Sequence, residues 1–172
     1  VDHSVAKTLP GQRVIDVRRR AKYLLIGLEQ GTLIAHLGMS GSLRVMPVDA
    51  PWLKHDHYEI SLDDGHGLRF NDPRRFGCLH WVAGDPLEHP LLKGLGPEPL
   101  ARGFDGAYLA GRARSRKVAI KQFLMDQRVV VGVGNIYASE SLFRAGIHPR
   151  RAAGRVSRER LDRLADGVRT VL

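Results

Sequence analysis

The chain has 172 residues, with 27 Lys plus Arg against 18 Asp plus Glu, a formal charge of +9 and a pI near 10.3. That length admits one large domain or two small ones with a real core, and the basic balance suggests a polyanionic partner while saying nothing about fold. No apolar run approaches the roughly 18 residues of a membrane span, no signal-peptide pattern appears, and one cysteine excludes an intramolecular disulfide or a multi-cysteine zinc site within the chain.

Taken in order, residues 1–84 read as β structure. Short apolar or alternating runs fall at 14–17, 23–28, 32–37, 42–46, 58–62, 68–71 and 78–82. Turn chemistry separates them, as in Glu29-Gln30-Gly31, Gly38-Met39-Ser40-Gly41 and Asp63-Asp64-Gly65. Seven short strands at such spacing predict an antiparallel sandwich or barrel. Cys78 lies in the apolar run G-C-L-H-W-V and reads as a buried structural thiol rather than a nucleophile.

The stretch 85–111 is dense in Pro and Gly and reads as an ordered connection. Residues 112–172 then turn helical. One helix is expected near 120–126. A second opens at Asn135, with Ala138, Leu142 and Ala145 on one face and Gly146 just past its end. A last helix follows Ser157 as N-cap, with Leu161, Leu164, Val168 and Val171 on one face. The fold class is therefore α+β, an antiparallel β-sandwich or barrel followed by a helical domain.

The segment V-G-V-G-N-I-Y lacks the last glycine of a dinucleotide fingerprint, and helix rather than strand precedes it. Asn135 instead stands at a helix mouth, where free N–H groups and the dipole favour an anion such as phosphate. The alternative is that Gly132 and Gly134 only let two helices pack closely.

Positive charge is clustered at Arg18-Arg19-Arg20 and Lys22, at Arg74-Arg75, from Arg112 to Lys121, and again from Arg150 to Arg163. Clusters beside glycine turns in both halves fit a two-domain clamp that grips phosphates. Met39 and Phe76 occupy tight turns, H-L-G-M-S-G and N-D-P-R-R-F-G. An apolar side chain at a turn tip either folds back into the core or serves as a wedge that enters a base stack. Enzymes that act on a base within a duplex must extrude it from the helix.

R-R-A-K-Y-L-L, H-L-G-M-S-G-S-L-R, K-H-D-H, D-P-R-R-F-G, L-G-P-E-P-L, L-M-D-Q and V-V-G-V-G-N-I-Y-A-S-E-S-L-F-R-A-G-I-H-P occur in this order. Together they resemble the bacterial formamidopyrimidine-DNA glycosylases over nearly the whole chain. Endonuclease VIII is less similar, since its void-filling residues differ from Met39, Arg74 and Phe76. The resemblance implies a bifunctional base-excision repair enzyme that removes oxidised purines and cleaves the strand by β- and δ-elimination. It implies a β-sandwich, a helix–two-turn–helix domain and, beyond them, a zinc finger.

By the same resemblance, Lys22 is the active-site lysine that assists elimination. Met39, Arg74 and Phe76 fill the gap left by the flipped nucleotide. His36, His55, Arg74, Arg116 or Lys117, Lys121 and Asn135 contact DNA, mostly its phosphates. The expected partner is damaged double-stranded DNA, bound by a monomer in the bacterial cytoplasm without any membrane.

The departures are also informative. The chain starts Val1-Asp2-His3 and ends inside a helical pattern, as expected of the middle of a longer protein. The family's N-terminal proline nucleophile, the glutamate after it and the four-cysteine finger have no counterpart here. One zinc ion is expected in the full-length protein and no cofactor in this chain; neither the family nor a third ligand supports a metal at His55-Asp56-His57. Retention of DNA-gripping parts without activity is the expectation for these 172 residues. The competing reading is a non-catalytic nucleic-acid-binding protein on the same scaffold.

Overall fold

The computed structural model describes residues 4–172. Val1, Asp2 and His3, on which the reading of the N-terminal start rests, lie outside the described residues. Two compact units are present, Val1–His89 and Pro90–Leu172.

The first unit opens with a single helical turn, α1 (Val5–Thr8), followed by β1 (Val14–Arg20), β2 (Tyr23–Leu28), β3 (Gly31–His36), β4 (Ser42–Pro47), β5 (Asp56–Ser61), β6 (His66–Asn71) and β7 (Cys78–Val82). All pairings are antiparallel, in a four-stranded sheet of order β1-β2-β3-β7 and a three-stranded sheet of order β4-β6-β5. Period-two alternation puts Leu24, Ile26 and Leu28 on one face of β2. They meet Leu33, Ala35, Leu79 and Trp81 of their own sheet, and Tyr58, Ile60 and Leu68 of the other. The core therefore lies between two sheets, as a sandwich requires. β1 runs three residues beyond the apolar signal, because Arg18, Arg19 and Arg20 pair with Leu25, Leu24 and Tyr23 through main-chain bonds that ignore side-chain polarity.

The second unit contains α2 (Gly106–Ala113), α3 (Ile120–Met125), α4 (Asn135–Arg144) and α5 (Arg158–Val171) around one apolar cluster. Ala138 and Leu142 of α4 and Leu161, Leu164 and Val168 of α5 are all buried. Val171, in the last turn of α5, is only half-buried. α4 ends in a Schellman motif: Gly146 N–H donates to Phe143 O (3.1 Å) and Ile147 N–H to Leu142 O (2.9 Å).

The connection at 85–111 is drawn differently from its expected bounds. The β unit extends to His89, and α2 begins inside the stretch. Asp105 caps α2, its carboxylate accepting Tyr108 N–H at 2.7 Å, and Leu109 is fully buried. Gly96 N–H donates to Gln127 O (2.7 Å) and Val131 N–H to Pro97 O (3.2 Å), so the Pro-rich segment belongs to the helical unit. Pro and Gly mark turns, but they do not say which core a turn packs against.

Candidate nucleic-acid interface

Strand register alone brings six of the sequence-selected residues to one end of the β unit. Tyr23 pairs with His36, and His36 with Cys78; Ser42 pairs with Asn71, and Asn71 with Asp56. The Ala21-Lys22 turn, the 37–41 connection, His55 and the 72–77 connection must then emerge together. Both inter-sheet crossings, β3 to β4 and β6 to β7, are made here.

Asp72 ties these segments. It is buried, and its carboxylate accepts the Ser40 hydroxyl (2.7 Å), Gly77 N–H (2.9 Å) and Arg74 N–H (3.2 Å). Its own N–H donates to His55 O (3.0 Å), and its carbonyl lies 2.7 Å from His57 Nε2. The Gly77 amide first and the Ser40 hydroxyl second pull the carboxyl pKa down to about 2. Backbone contact completes the lock. Gly38 has φ +67, and a Cβ there would stand 2.7 Å from the Phe76 carbonyl carbon, so only glycine fits.

The two turn tips face outward. Met39 is 74% exposed and Phe76 57%, which removes the alternative in which both fold back into the core. Arg74 is exposed too, its guanidinium carbon 4.8 Å from the centre of the Phe76 ring. A cation–π contact of that kind holds an apolar ring at a surface it would otherwise leave.

Lys22 is exposed in its turn, after Ala21 in the left-handed region at φ 54. Nearby, the His36 ring lies 4.8 Å from the Tyr23 ring. Gly38 N–H donates to His36 Nδ1 (3.0 Å), so the neutral ring carries its proton on Nε2. Burial, and then the Lys22 charge, lower the His36 pKa below 6.5. An ammonium beside a neutral imidazole is a pair that can hold anionic oxygen and pass protons.

His55 is exposed, with φ 76, in a loop anchored from below by Arg69. Arg69 is buried; its guanidinium donates to Glu59 Oε2 (2.5 and 2.8 Å) and to the carbonyls of Ala50 and Pro51 (3.0 Å each). Neither Asp72 nor Arg69 was selected from sequence. Asp72 had a legible signal, an aspartate ahead of Pro in a turn whose N–H groups need acceptors; Arg69 and Ser40 had none. Cys78 is half-buried rather than enclosed, because it opens β7 at this end; burial nonetheless raises its thiol pKa.

In the helical unit, Arg116 and Lys117 are exposed and Lys121 half-buried, around the start of α3. Asn135 is the first residue of α4, exposed, behind Gly134 as an N-cap that offers no side chain. The opening amides of α4 thus keep their capacity for an anion. A Cβ on Gly132 would meet nothing within 4 Å; its φ of +80, not close packing, explains that glycine. Val129, Val130, Val131 and Val133 anchor the turn in the core, leaving Asn135 outside.

Among the described residues no three His, Cys, Asp or Glu side chains gather as a metal site, and the single half-buried Cys78 offers no set of zinc ligands. No helix among them is long and apolar enough to cross a membrane.

An antiparallel two-sheet unit followed by a helix–two-turn–helix unit is the architecture of a DNA glycosylase class. Residues 1–79 match the formamidopyrimidine-DNA glycosylase N-terminal domain, and residues 95–172 match the formamidopyrimidine-DNA glycosylase H2TH domain. A formamidopyrimidine-DNA glycosylase of Stenotrophomonas maltophilia is 63% identical over 98% of this chain and 62% of its own length. One from Syntrophotalea carbinolica is 58% identical over all of this chain and 64% of its own length. The Lactococcus lactis Fpg in complex with abasic-site DNA superposes with TM-score 0.91 at 33% identity, over 98% of this chain and 62% of that one. MutM in complex with carbocyclic 8-oxo-G DNA superposes with TM-score 0.92 at 34% identity, over 98% and 63%. The chain belongs to the formamidopyrimidine-DNA glycosylase family, and it spans about 62% of the length of these relatives.

Proposed function

We propose that the protein carrying this chain is a base-excision repair enzyme that binds damaged duplex DNA as a monomer in the bacterial cytoplasm. It removes oxidised purines, 8-oxoguanine and formamidopyrimidines, and cleaves the strand by β,δ-elimination. The carrying observation is the exposure of Met39 (74%) and Phe76 (57%) on two turns locked to each other. Exposed apolar tips on rigid supports suit entry into a base stack, where burial repays their exposure in the free protein.

In this reading Met39 and Phe76 fill the volume of the extruded base, and Arg74 hydrogen-bonds its orphaned partner. His36 and His55 hold phosphates beside the lesion, and Lys22 assists proton removal during elimination. Arg116, Lys117, Lys121 and Asn135 hold phosphates from the helical unit. The nucleophile and the zinc finger of the family are assigned to no described residue.

Abasic-site duplex carrying 2-aminopurine beside the lesion tests the reading. Fluorescence should rise on binding, as unstacking removes quenching. The full-length protein should also form a borohydride-trapped adduct with abasic DNA, and Lys22→Ala should slow strand cleavage. Salt-dependent binding without brightening or trapping would support the non-catalytic binder instead.

A further inference from the structure

The helical unit carries a second run of positive charge outside the contacts assigned above. After Pro149 the chain returns along 116–121. Ile120 N–H donates to Arg151 O (2.7 Å), Lys121 N–H to Pro149 O (3.2 Å), Ala153 N–H to Val118 O (2.9 Å) and Gly154 N–H to Arg116 O (2.9 Å). Ala119 and Ala152 form an antiparallel bridge at the centre. This pairing lays Arg150, Arg151 and Arg155 alongside Arg116, Lys117 and Lys121.

All of these but the half-buried Lys121 are exposed. Among the described residues none of the six joins an ion pair, whereas Arg158 is matched to Asp162 (3.0 Å) and Arg169 to Asp166 (3.3 Å). Arg151, Arg155 and Arg160 line an open depression of about 570 Å³ with Ser157 and Glu159. Arg151 Nε donates to Arg155 O (3.0 Å), which holds its guanidinium over that depression. Folding thus brings two antiparallel segments side by side, each carrying three cations that, among the described residues, join no ion pair. Their repulsion opposes the fold and is relieved by a partner with regularly repeated negative charge. A phosphate backbone has that form, and a single small anion does not.

We propose that Arg150, Arg151 and Arg155, with Arg160 at the margin, bind duplex DNA phosphates as a second row beside Arg116, Lys117 and Lys121. The proposal rests on the DNA-binding reading above and adds phosphate-binding residues to it.

Binding of the full-length protein to a fluorescent undamaged duplex, measured by anisotropy across a salt series, tests it. R150Q/R155Q should reduce the magnitude of the log K against log salt slope by about 2, at about 0.9 for each phosphate that is no longer neutralised. R150Q/R151Q/R155Q should reduce it by about 3 on the same basis. The double variant keeps the Arg151 bond to the Arg155 carbonyl, so its unfolding midpoint should match the wild type. A charge-matched variant, R13Q/R102Q, should keep the wild-type slope. Unchanged slopes in both arginine variants would overturn the second row, as would an equal reduction in the charge-matched variant. A flat salt response of the wild type would overturn the DNA-binding reading itself.

Discussion

The hydroxyl of Ser40 donates to Asp72 Oδ1 at 2.7 Å, joining two inter-sheet connections whose members stand 32 residues apart in the chain. Through that bond the turn bearing Met39 and the turn bearing Arg74 and Phe76 behave as one surface. The positions of the exposed tips are thereby set before any ligand arrives, which limits the ordering cost of binding.

Asp72 should therefore impose a pH dependence on this surface. Its carboxyl pKa is depressed in the folded chain to about 2, so its contribution is fully present above the unfolded carboxyl value of about 4. That contribution is lost as pH falls through about 2. Urea unfolding of the wild type and Asp72→Asn should differ at neutral pH, and the difference should shrink below about pH 4. A constant difference down to pH 2 would show that the carboxylate charge is not what holds the turns. Ser40→Ala, which removes a hydrogen bond to the buried, charged carboxylate, should cost roughly 1.5–3 kcal/mol.

Phe76→Ala should leave the unfolding midpoint nearly unchanged, because 57% of the residue is already exposed. In the full-length protein it should lower lesion excision far more than binding to undamaged DNA. The brightening of 2-aminopurine beside the lesion should disappear with it. Arg74→Ala should weaken both excision and binding and blunt discrimination of the opposite base. Equal brightening in wild type and Phe76→Ala would remove the wedge role.

His36 should titrate below 6.5. As pH falls below that value the unfolded chain takes the proton first, so His36 withdraws stability toward acid, until pH passes below its folded pKa. Lys22→Gln removes only the second cause of the depression, burial being the first. NMR titration of the ring should then move upward part of the way toward 6.5. An unchanged midpoint would mean that Lys22 does not act on the imidazole.

Asn135→Ala should cost roughly 1.5–3 kcal/mol of DNA affinity, the range for hydrogen bonds to charged groups. The Asn135 side chain is exposed and makes no hydrogen bond among the described residues, so thermal stability should barely move. A large drop in stability at unchanged affinity would assign Asn135 to the fold instead.

Local signals were enough for much of this protein. Alternation and turn residues placed all seven strands, with 23–28 and 78–82 matching β2 and β7, because each strand's pattern is written in adjacent residues. The same holds for α4, whose buried Ala138 and Leu142 recur with the helical period and whose end is marked by Gly146. The family motifs also singled out Lys22, His36, Met39, His55, Arg74 and Phe76 as residues, but not as one surface. Whether Met39 and Phe76 turn inward or outward, and that their turns touch, was decided only when β3 paired with β7 and β4 with β6. Likewise α2 stayed hidden in a Pro- and Gly-rich stretch, since the core that buries Leu109 is supplied mostly by later helices. Asp72, Ser40 and Arg69 act through partners distant in sequence, and a one-dimensional pattern does not carry such pairings.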